Sequence, residues 1–360
     1  MAMGMPSINI IFRTAASTAL RRSQRGIVGV ILKDSADGTA GAHIMLDSSK
    51  IPTTLSEVNQ DYLEKTFLGY VRKPKKVIAY VIATDAKDVS EALTYFATQK
   101  INYIVGPPDC TADEAQAIAT WIKAQRANKR NYKAVLPNTA ADCEGIINFA
   151  TSGITIDKKN YTTAEYCGRI AGIIAGTPIS IACTYAPLPE VTDVTRLTEE
   201  EMDAAVDAGK FIIFHDGEKV KAGRAVNSLQ TITSDKGDAF KKIKIVDAVD
   251  MMQDDIRLLV QDNYIGKYPN SYDNKCLLIT AIQDYFAGLE KEEVLSAGKS
   301  TVGIDIDRTK KYLADEGKDI STMKDNDVKT ADTGTNVFLS GMVCVLDTIE
   351  DISLDMSMVE

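Results

Sequence analysis

Hydrophobic positions in the first half of the chain follow an alternation of strand-like and helix-like patterns. Residues 77–82 and 101–105 are short, nearly continuous apolar runs, which are typical of strands covered on both faces. Between them, Val89, Leu93 and Phe96 recur at helical spacing. This part of the chain therefore predicts a strand, a helix and a second strand in succession.

The following residues extend the alternation. Thr111 and Glu114 have the spacing of a capping box, which predicts the start of a helix. Residues 133–136 are apolar enough for a third strand. Strands that alternate with helices favour a parallel sheet with covering helices.

The rest of the chain carries mixed helix and strand signals as far as about residue 290. The pattern predicts helices at 163–174, 198–209, 246–260 and 271–290, a hairpin at 211–222 and a strand at 225–232. Residues 26–75 are turn-rich and polar, and are interpreted as a small β-rich module that ends near Pro74. Asp254 and Asp255 are expected on a solvated helix face.

Both ends of the chain show strict period-2 alternation. The apolar positions are Ile8, Ile10 and Phe12 at one end and Ile352, Leu354, Met356 and Met358 at the other. A strand with one apolar face must bury that face. Each terminal strand either pairs within its own domain or adds to the sheet of a neighbouring subunit.

Composition and charge narrow the class of protein. The chain has 360 residues, of which 45% are hydrophobic and 25% charged, and a formal net charge of −9. These values indicate a globular protein of several domains, and the acidic balance argues against a broad nucleic-acid-binding surface. No apolar run approaches the length of a membrane span and no secretory signal is visible, so membrane insertion is not expected and a cytosolic product is.

Candidate catalytic and metal-binding residues are few. The six cysteines form no CxxC pair, and His43 and His215 are the only histidines. The cysteines are expected to be reduced and mostly buried, and the histidines to be a turn residue and a strand-end residue. Residues 298–300 resemble the end of a phosphate-binding loop but lack its first glycine. We therefore expect no catalytic residue, no metal and no cofactor, and assembly rather than catalysis.

The ordered series of segments resembles the tail sheath proteins of contractile phage tails and phage-tail-like bacteriocins, in the compact form found in Gram-positive hosts. The resemblance is carried by residues 6–12, 25–32, 221–229, 245–267, and 337–352, and spans almost the whole chain. It implies subunits that form stacked six-subunit rings around a tail tube and exchange terminal strands with neighbours. Contraction of such rings would drive the tube through a bacterial envelope.

The resemblance also implies a fold class and a domain plan. The fold class is α/β multidomain, with the β-rich module, an α/β domain with a mostly parallel sheet, an α+β C-terminal domain and extended terminal arms. The expected divisions are an N-terminal arm (1–25), the β module (26–75), an outer domain (76–235), an inner tube-facing domain (236–345), and a C-terminal arm (346–360). The implied partners are further copies of the chain, the tube protein, and baseplate and tail terminator proteins, with assembly in the host cytoplasm before release in the tail.

One cationic cluster is a candidate for contact with the tube. Arg308, Lys310 and Lys311 lie close together in a chain that is acidic overall, which would suit docking on an acidic surface. The alternative is a solvated helix start. Two other functions stay open from the residues alone: a hydrolase-type enzyme built on the α/β domain, and a different self-assembling tube or shell protein.

Overall fold

The computed structural model describes residues 25–358. The strands in this part of the chain are β1 (Ile27–Lys33), β2 (Gly41–Met45), β3 (Lys76–Ile82), β4 (Tyr103–Val105), β5 (Lys133–Pro137), β6 (Ile146–Phe149), β7 (Ile154–Ile156), β8 (Lys159–Tyr161), β9 (Lys210–Phe211), β10 (Ile213–His215), β11 (Val220–Ala222), β12 (Thr301–Ile304), and β13 (Leu339–Met342).

The α-helices in the described part are α1 (Glu57–Leu68), α2 (Ser90–Phe96), α3 (Ala112–Ala127), α4 (Thr163–Ala175), α5 (Glu199–Asp207), α6 (Ile243–Asn263), α7 (Tyr272–Lys291), α8 (Ile306–Asp315), and α9 (Asp325–Thr330). Capping boxes at Thr111, Thr162 and Thr198 begin α3, α4 and α5, since each threonine accepts a hydrogen bond from the backbone of a glutamate three residues later. The predicted starts of α3 and α5 are thus confirmed.

A seven-stranded sheet in the order β2-β3-β1-β4-β5-β6-β9 forms the centre of the larger unit. All of its pairings are parallel except the edge pair β2–β3. Its strands are short and apolar on both sides because helices cover both faces. The predicted mostly parallel sheet is confirmed.

The two faces of the sheet bury alternate residues of each strand. Val28 and Val30 of β1 face α1 and α4, whereas Ile27 and Ile31 face α2 and α3. Helices α1 and α4 also approach each other closely, because Gly172 of α4 lies directly against the backbone of α1. The result is a three-layer arrangement with the sheet in the middle.

A second hydrophobic core lies in the C-terminal part of the chain. Helices α6 and α7 pack along each other, and Val302 and Leu339 of the small antiparallel sheet β12–β13 pack against the same cluster. The helix predicted at 271–290 corresponds to α7, which buries an apolar stripe of Leu278, Ile282, Tyr285 and Leu289. This α+β unit has its own core, as expected of a separate domain.

The structure corrects the prediction that residues 26–75 form a separate β-rich module. Strands β1 and β2 are hydrogen bonded to β3 in the central sheet. Helix α1 also lies within this segment and was not predicted. Its buried face includes Asn59, Lys65 and Thr66 as well as apolar residues, which weakens the helical hydrophobic pattern.

The predicted strand at 225–232 is wrong. The backbone N–H of Asn227 donates to Lys241 O (2.8 Å) and that of Ser228 donates to Ile146 O (2.8 Å), so neighbouring residues bond to different parts of the molecule. A regular ladder would require one partner strand.

The predicted hairpin at 211–222 is confirmed only for β10–β11, since Phe211 belongs to β9 at the edge of the central sheet.

Candidate assembly interfaces

The described part of the C-terminal arm leaves the molecule as an exposed segment. Ile352, Leu354, Met356 and Met358 are exposed by 74% to 95%, although they are among the most apolar residues of the chain's end. Residues 346–358 belong to no strand of the structure. The alternative that this segment pairs within its own subunit's sheet is therefore not realised in the structure.

Charged contacts fix the root of this arm to the body. Lys242 forms ion pairs with Asp347 and Glu350, and Arg224 forms ion pairs with Glu350 and Asp351. Although burial of Asp347 would raise its pKa, the hydrogen bond from the Lys242 ammonium lowers the pKa of that carboxyl. The arm is thus held at 347–351, and the residues from 352 to 358 are exposed.

The Glu350 side chain is the best-enclosed part of the root. Its Oε1 accepts a hydrogen bond from the Thr184 hydroxyl (2.6 Å). Only 8% of the side chain is exposed, although the next residue lies on the surface. Glu350 therefore marks the point at which the chain leaves the body.

The small sheet β12–β13 has two open edges. Within residues 25–358 its strands pair only with each other, from Thr301 opposite Met342 to Ile304 opposite Leu339. Met342 is exposed by 69%. An uncovered edge with an exposed apolar side chain is a template for a further strand.

The cationic cluster of the sequence lies at the start of α8. The three cations have different surroundings: the Arg308 guanidinium stacks on the Phe338 ring (5.6 Å to its centroid), Lys310 pairs with Asp325 (3.2 Å), and Lys311 is exposed. Arg308 and Lys311 are three residues apart and so share one helix face. The structure brings these two together, whereas Lys310 is directed to α9.

A buried ionic network joins α6 to the α/β unit, and the sequence analysis missed it. Arg126 of α3 donates two hydrogen bonds to Asp250 (2.9 and 3.0 Å), and Lys133 of β5 pairs with Asp250 (2.9 Å) and Asp247 (3.1 Å). Arg126 also pairs with Glu144 (2.9 Å). The network fixes α6 against β5 of the central sheet and against α3.

The charged state of this network follows from its pairing. Burial alone would raise the pKa of Asp250, but the neighbouring Lys133 and Arg126 lower it. Burial alone would lower the pKa of Lys133, but Asp250 and Asp247 raise it. Asp250 and Lys133 are therefore both held in their charged forms, and each depends on its partners.

The expectation of a solvated face at Asp254 and Asp255 is wrong for Asp255. This carboxylate is fully buried and accepts a hydrogen bond from the Tyr285 hydroxyl of α7 (2.8 Å). Asp247, Asp250 and Asp254 recur at helical spacing in α6, and that stripe is the signal that could have indicated a polar interface.

Cysteines and histidines have structural surroundings. In the described residues all six cysteines are free, and Cys143, Cys167 and Cys183 are buried. Burial raises the pKa of Cys183 to about 12, which keeps that thiol protonated. His43 Nε2 lies 2.7 Å from Thr39 O, and His215 Nδ1 accepts a hydrogen bond from Gly217 N (2.9 Å).

Residues 25–358 contain neither a metal-binding cluster nor a membrane-spanning helix. They contain no group of three or more histidine, cysteine, aspartate or glutamate residues placed to hold a metal ion. None of their helices combines the length and the apolar character that a bilayer-spanning segment needs.

Comparison with known proteins agrees with this architecture. Residues 82–228 match the model of the phage tail sheath protein central domain, and residues 235–353 match that of the phage tail sheath C-terminal domain. The chain is 37% identical to the tail sheath protein of Clostridium phage phiCD119 over 99% of both chains. It also matches the phage-like element PBSX protein XkdK of Bacillus subtilis, with 27% identity over 47% of this chain and 37% of that one.

Solved structures with the same fold include sheath proteins. The sheath tail protein of Desulfitobacterium hafniense aligns with a TM-score of 0.67 and 17% identity, over 83% of this chain and 94% of that one. The sheath complex of an extracellular contractile injection system, in its contracted state, aligns with a TM-score of 0.67 and 12% identity, over 99% and 98%.

The fold and the exposed arm define a structural protein built for assembly. The chain belongs to the phage tail sheath family, and the resemblance seen in the sequence is confirmed. It is a structural protein of a tail sheath, located in a phage tail.

Proposed function

We propose that this chain polymerises as stacked hexameric rings around a tail tube, and that neighbouring subunits are linked by exchanged terminal strands. Contraction of the rings would drive the tube through a bacterial envelope. Baseplate and tail terminator proteins would cap the two ends, and assembly would take place in the host cytoplasm. The energy would come from the fall of a metastable extended array to a more tightly packed one, without cofactor or hydrolysis.

The exposed stripe at the C-terminus is the observation that carries this proposal. Four apolar side chains alternate along residues 352–358 and all of them face solvent. The open edges of β12–β13 offer backbone groups of the matching kind. Each ladder hydrogen bond contributes about 0.5–1.5 kcal/mol net, so one donated strand is modest and a mesh of many is strong.

Removal of residues 352–360 tests the exchange. The shortened chain should remain folded and soluble, because these side chains contribute nothing to either core, but it should no longer form tubes in electron micrographs. Leu354→Asp should have the same effect, since it places a charge on the face to be buried. Ser353→Asp, on the opposite face of the same strand, is the matched control and should assemble.

The result that would exclude exchange is specific. Normal tubes from both the shortened chain and the Leu354→Asp variant would show that the stripe is not donated. Loss of the folded monomer on deletion would show instead that the arm supports its own subunit.

The N-terminal arm is proposed to act in the same way. Ile8, Ile10 and Phe12 lie outside the described residues, so this part of the proposal rests on their alternation in the sequence. Deletion of residues 1–13 should leave a folded monomer without tubes. Unchanged tube formation would limit strand exchange to the C-terminal arm.

We propose Arg308, Lys310 and Lys311 as contacts for an acidic tube surface. Two observations support this: Arg308 and Lys311 share an exposed helix face, and the chain is acidic overall. Reversal of all three charges should abolish coating of purified tubes in a co-sedimentation assay and spare the self-association of the sheath. Lys299→Glu, an exposed cation of the same domain, is the control. Normal coating by the triple variant would exclude this patch.

A further inference from the structure

We propose that the first turns of α6 are a common anchor for both terminal arms, so that displacement of one arm's root weakens the hold on the other. The anchor consists of Lys242, Lys244, Asp247 and Met251. This inference rests on the proposed strand exchange for its role in the assembly, but its contacts belong to the single chain.

The C-terminal arm reaches the anchor through its backbone and its acids. The ammonium of Lys244 donates a hydrogen bond to Leu346 O (2.7 Å). Lys242, directly before the helix, pairs with Asp347 and lies 3.4 Å from Glu350. Two lysines, each one turn or less from the start of α6, therefore hold the root of the arm. Their partners there are Leu346, Asp347 and Glu350.

The first described residue of the N-terminal side reaches the same helix. Arg25 Nη2 lies 3.5 Å from Asp247 Oδ2, and Arg25 Nη1 donates to Met251 Sδ (3.7 Å). Arg25 is the last residue of the segment assigned to the N-terminal arm. The two roots thus meet on α6, although they are more than 300 residues apart in the sequence.

The helix between the two roots is short and firmly held. Met251 follows Lys242 by nine positions in the sequence, which corresponds to about 14 Å of helix rise. Asp247 Oδ1, on the opposite side of the carboxylate from Arg25, accepts a hydrogen bond from the Tyr103 hydroxyl (2.6 Å). The buried network also holds Asp250, so the helix between the two roots is connected to the α/β unit at two successive turns, and we expect a displacement at one root to disturb the contacts at the other.

The two attachments themselves are easier to break than the helix. Arg25 and Lys242 are both partly exposed, at 28% and 31% of their side chains. Ion pairs of this kind contribute little each and are weakened by salt. The anchor therefore consists of a firmly held stretch of α6 with an ion pair at each end that can be broken. Subunits that stay linked while they move relative to each other require a connection of this kind.

Trypsin cleavage after Arg25 in the unassembled full-length chain tests the coupling. The enzyme can take Arg25 into its pocket only after the side chain leaves Asp247. Lys242→Gln removes the ion pairs with Asp347 and Glu350 and should raise the initial rate of release of the fragment that begins at Gly26 by about two- to fivefold. Lys241→Gln removes the same charge one residue earlier, where the partner is Asp238, and should leave the rate unchanged.

A coupling between the two roots is reciprocal, so loosening the Arg25 contact should in turn loosen the root of the C-terminal arm. Arg25→Gln should raise hydrogen exchange of the amides at 346–351 by a similar factor, including that of Leu346, which donates to Val294 O (2.9 Å). Arg196→Gln, which removes another surface cation paired with an aspartate, is the control. Unchanged rates in both experiments, or changes no larger than in the controls, would overturn the common anchor.

The outcome is separable from that of the proposed function. Both measurements use the unassembled chain, so they report the anchor even if deletion of 352–360 were to leave tubes intact. If the tubes depend on 352–360 but the two roots respond independently, strand exchange stands and the anchor does not.

Discussion

The network beneath α6 and the C-terminal arm are both rich in charge, and both touch the same helix, but they differ in how far the single chain satisfies them. Asp250 has Arg126 and Lys133 as partners and is 5% exposed. The apolar side chains of the arm have no core around them, and Met358 is 95% exposed. One region is complete in the isolated subunit and the other is not.

This difference separates folding from assembly. Buried charges must find their partners inside the chain, because an unpaired ion in the interior is strongly destabilising. An exposed apolar stripe can stay uncovered in the single subunit until another molecule packs against it. We therefore expect changes to the network to affect the unfolding of the subunit, and changes to the arm to affect polymerisation with little effect on unfolding.

The largest expected effect is that of Asp250→Ala. Removal of this carboxylate leaves the Arg126 and Lys133 charges buried without their main partner, which should lower the free energy of unfolding by about 3–5 kcal/mol. Chemical denaturation followed by circular dichroism measures it. Asp238→Ala, at an aspartate whose side chain is 76% exposed, should change it by less than about 0.5 kcal/mol. Equal losses in the two variants would contradict the comparison.

Two glycine substitutions are expected to have the next largest effects on the free energy of unfolding. One should lower it and the other should raise it. In Gly172→Ala the new Cβ would lie 2.1 Å from Thr66 O of α1, so the two helices must move apart at a loss of about 1–3 kcal/mol. Gly288 of α7 has no heavy atom within 4 Å of the corresponding position. Gly288→Ala should therefore stabilise the helix by about 0.5–1 kcal/mol. A stabilising Gly172→Ala would show that the α1–α4 contact is looser than described.

The sequence predicted the strands and helices with a regular apolar pattern better than those whose buried faces include polar residues. Strands such as β3 and β5 are apolar on both faces, and capping boxes begin α3 and α5, so local pattern and final structure agree there. Helix α1 was missed because its buried Lys65 and Asn59 resemble surface residues. The Asn59 amide donates to Lys33 O and to the Asp34 carboxylate, which belong to β1 and the loop after it, and periodicity carries no record of such distant partners.

The interfaces show the same limit. The exposed stripe of the arm could be predicted because alternation is a local property. The buried network could not, since Arg126, Lys133 and Asp250 are brought together only when the sheet and α6 pack. Charged residues on helices are usually solvated, and that rule failed for Asp255 because Tyr285 of the adjacent helix reaches it.

Acid should weaken the self-contained region through its buried carboxylates, and Asp34 gives a measurable case. Burial would raise its pKa, but hydrogen bonds from the backbone of Ser56 and Ala36 and from the Asn59 amide lower it to about 2. A depressed pKa in the folded state contributes stability that is present above the unfolded value near 4 and is lost as the pH falls toward 2. Asp34→Asn should therefore lose less stability between pH 5 and pH 2 than the unchanged chain.

Denaturation midpoints at pH 5, 3.5 and 2.5 measure this difference. Asp37→Asn, at a nearby exposed carboxylate, is the control and should follow the unchanged chain. The same acid dependence in Asp34→Asn as in the unchanged chain would show that this carboxylate is not stabilised by folding.

The smallest expected effect on the free energy of unfolding is that of a substitution at the root of the arm. This substitution also tests whether the arm is separate from the folded core of the subunit. Arg224→Gln removes the ion pairs with Glu350 and Asp351, but the Arg224 side chain is 37% exposed and that of Asp351 is 79% exposed. Pairs of this kind contribute about 0.2–1 kcal/mol, and salt screens them over about 10 Å at 0.1 M. The free energy of unfolding should therefore fall by less than about 1 kcal/mol, and the difference from the unchanged chain should shrink between 0.05 and 0.5 M salt. A loss comparable to that of Asp250→Ala, unaffected by salt, would mean that the arm's root is part of the subunit's own folded core, and the separation of folding from assembly would then fail at this point.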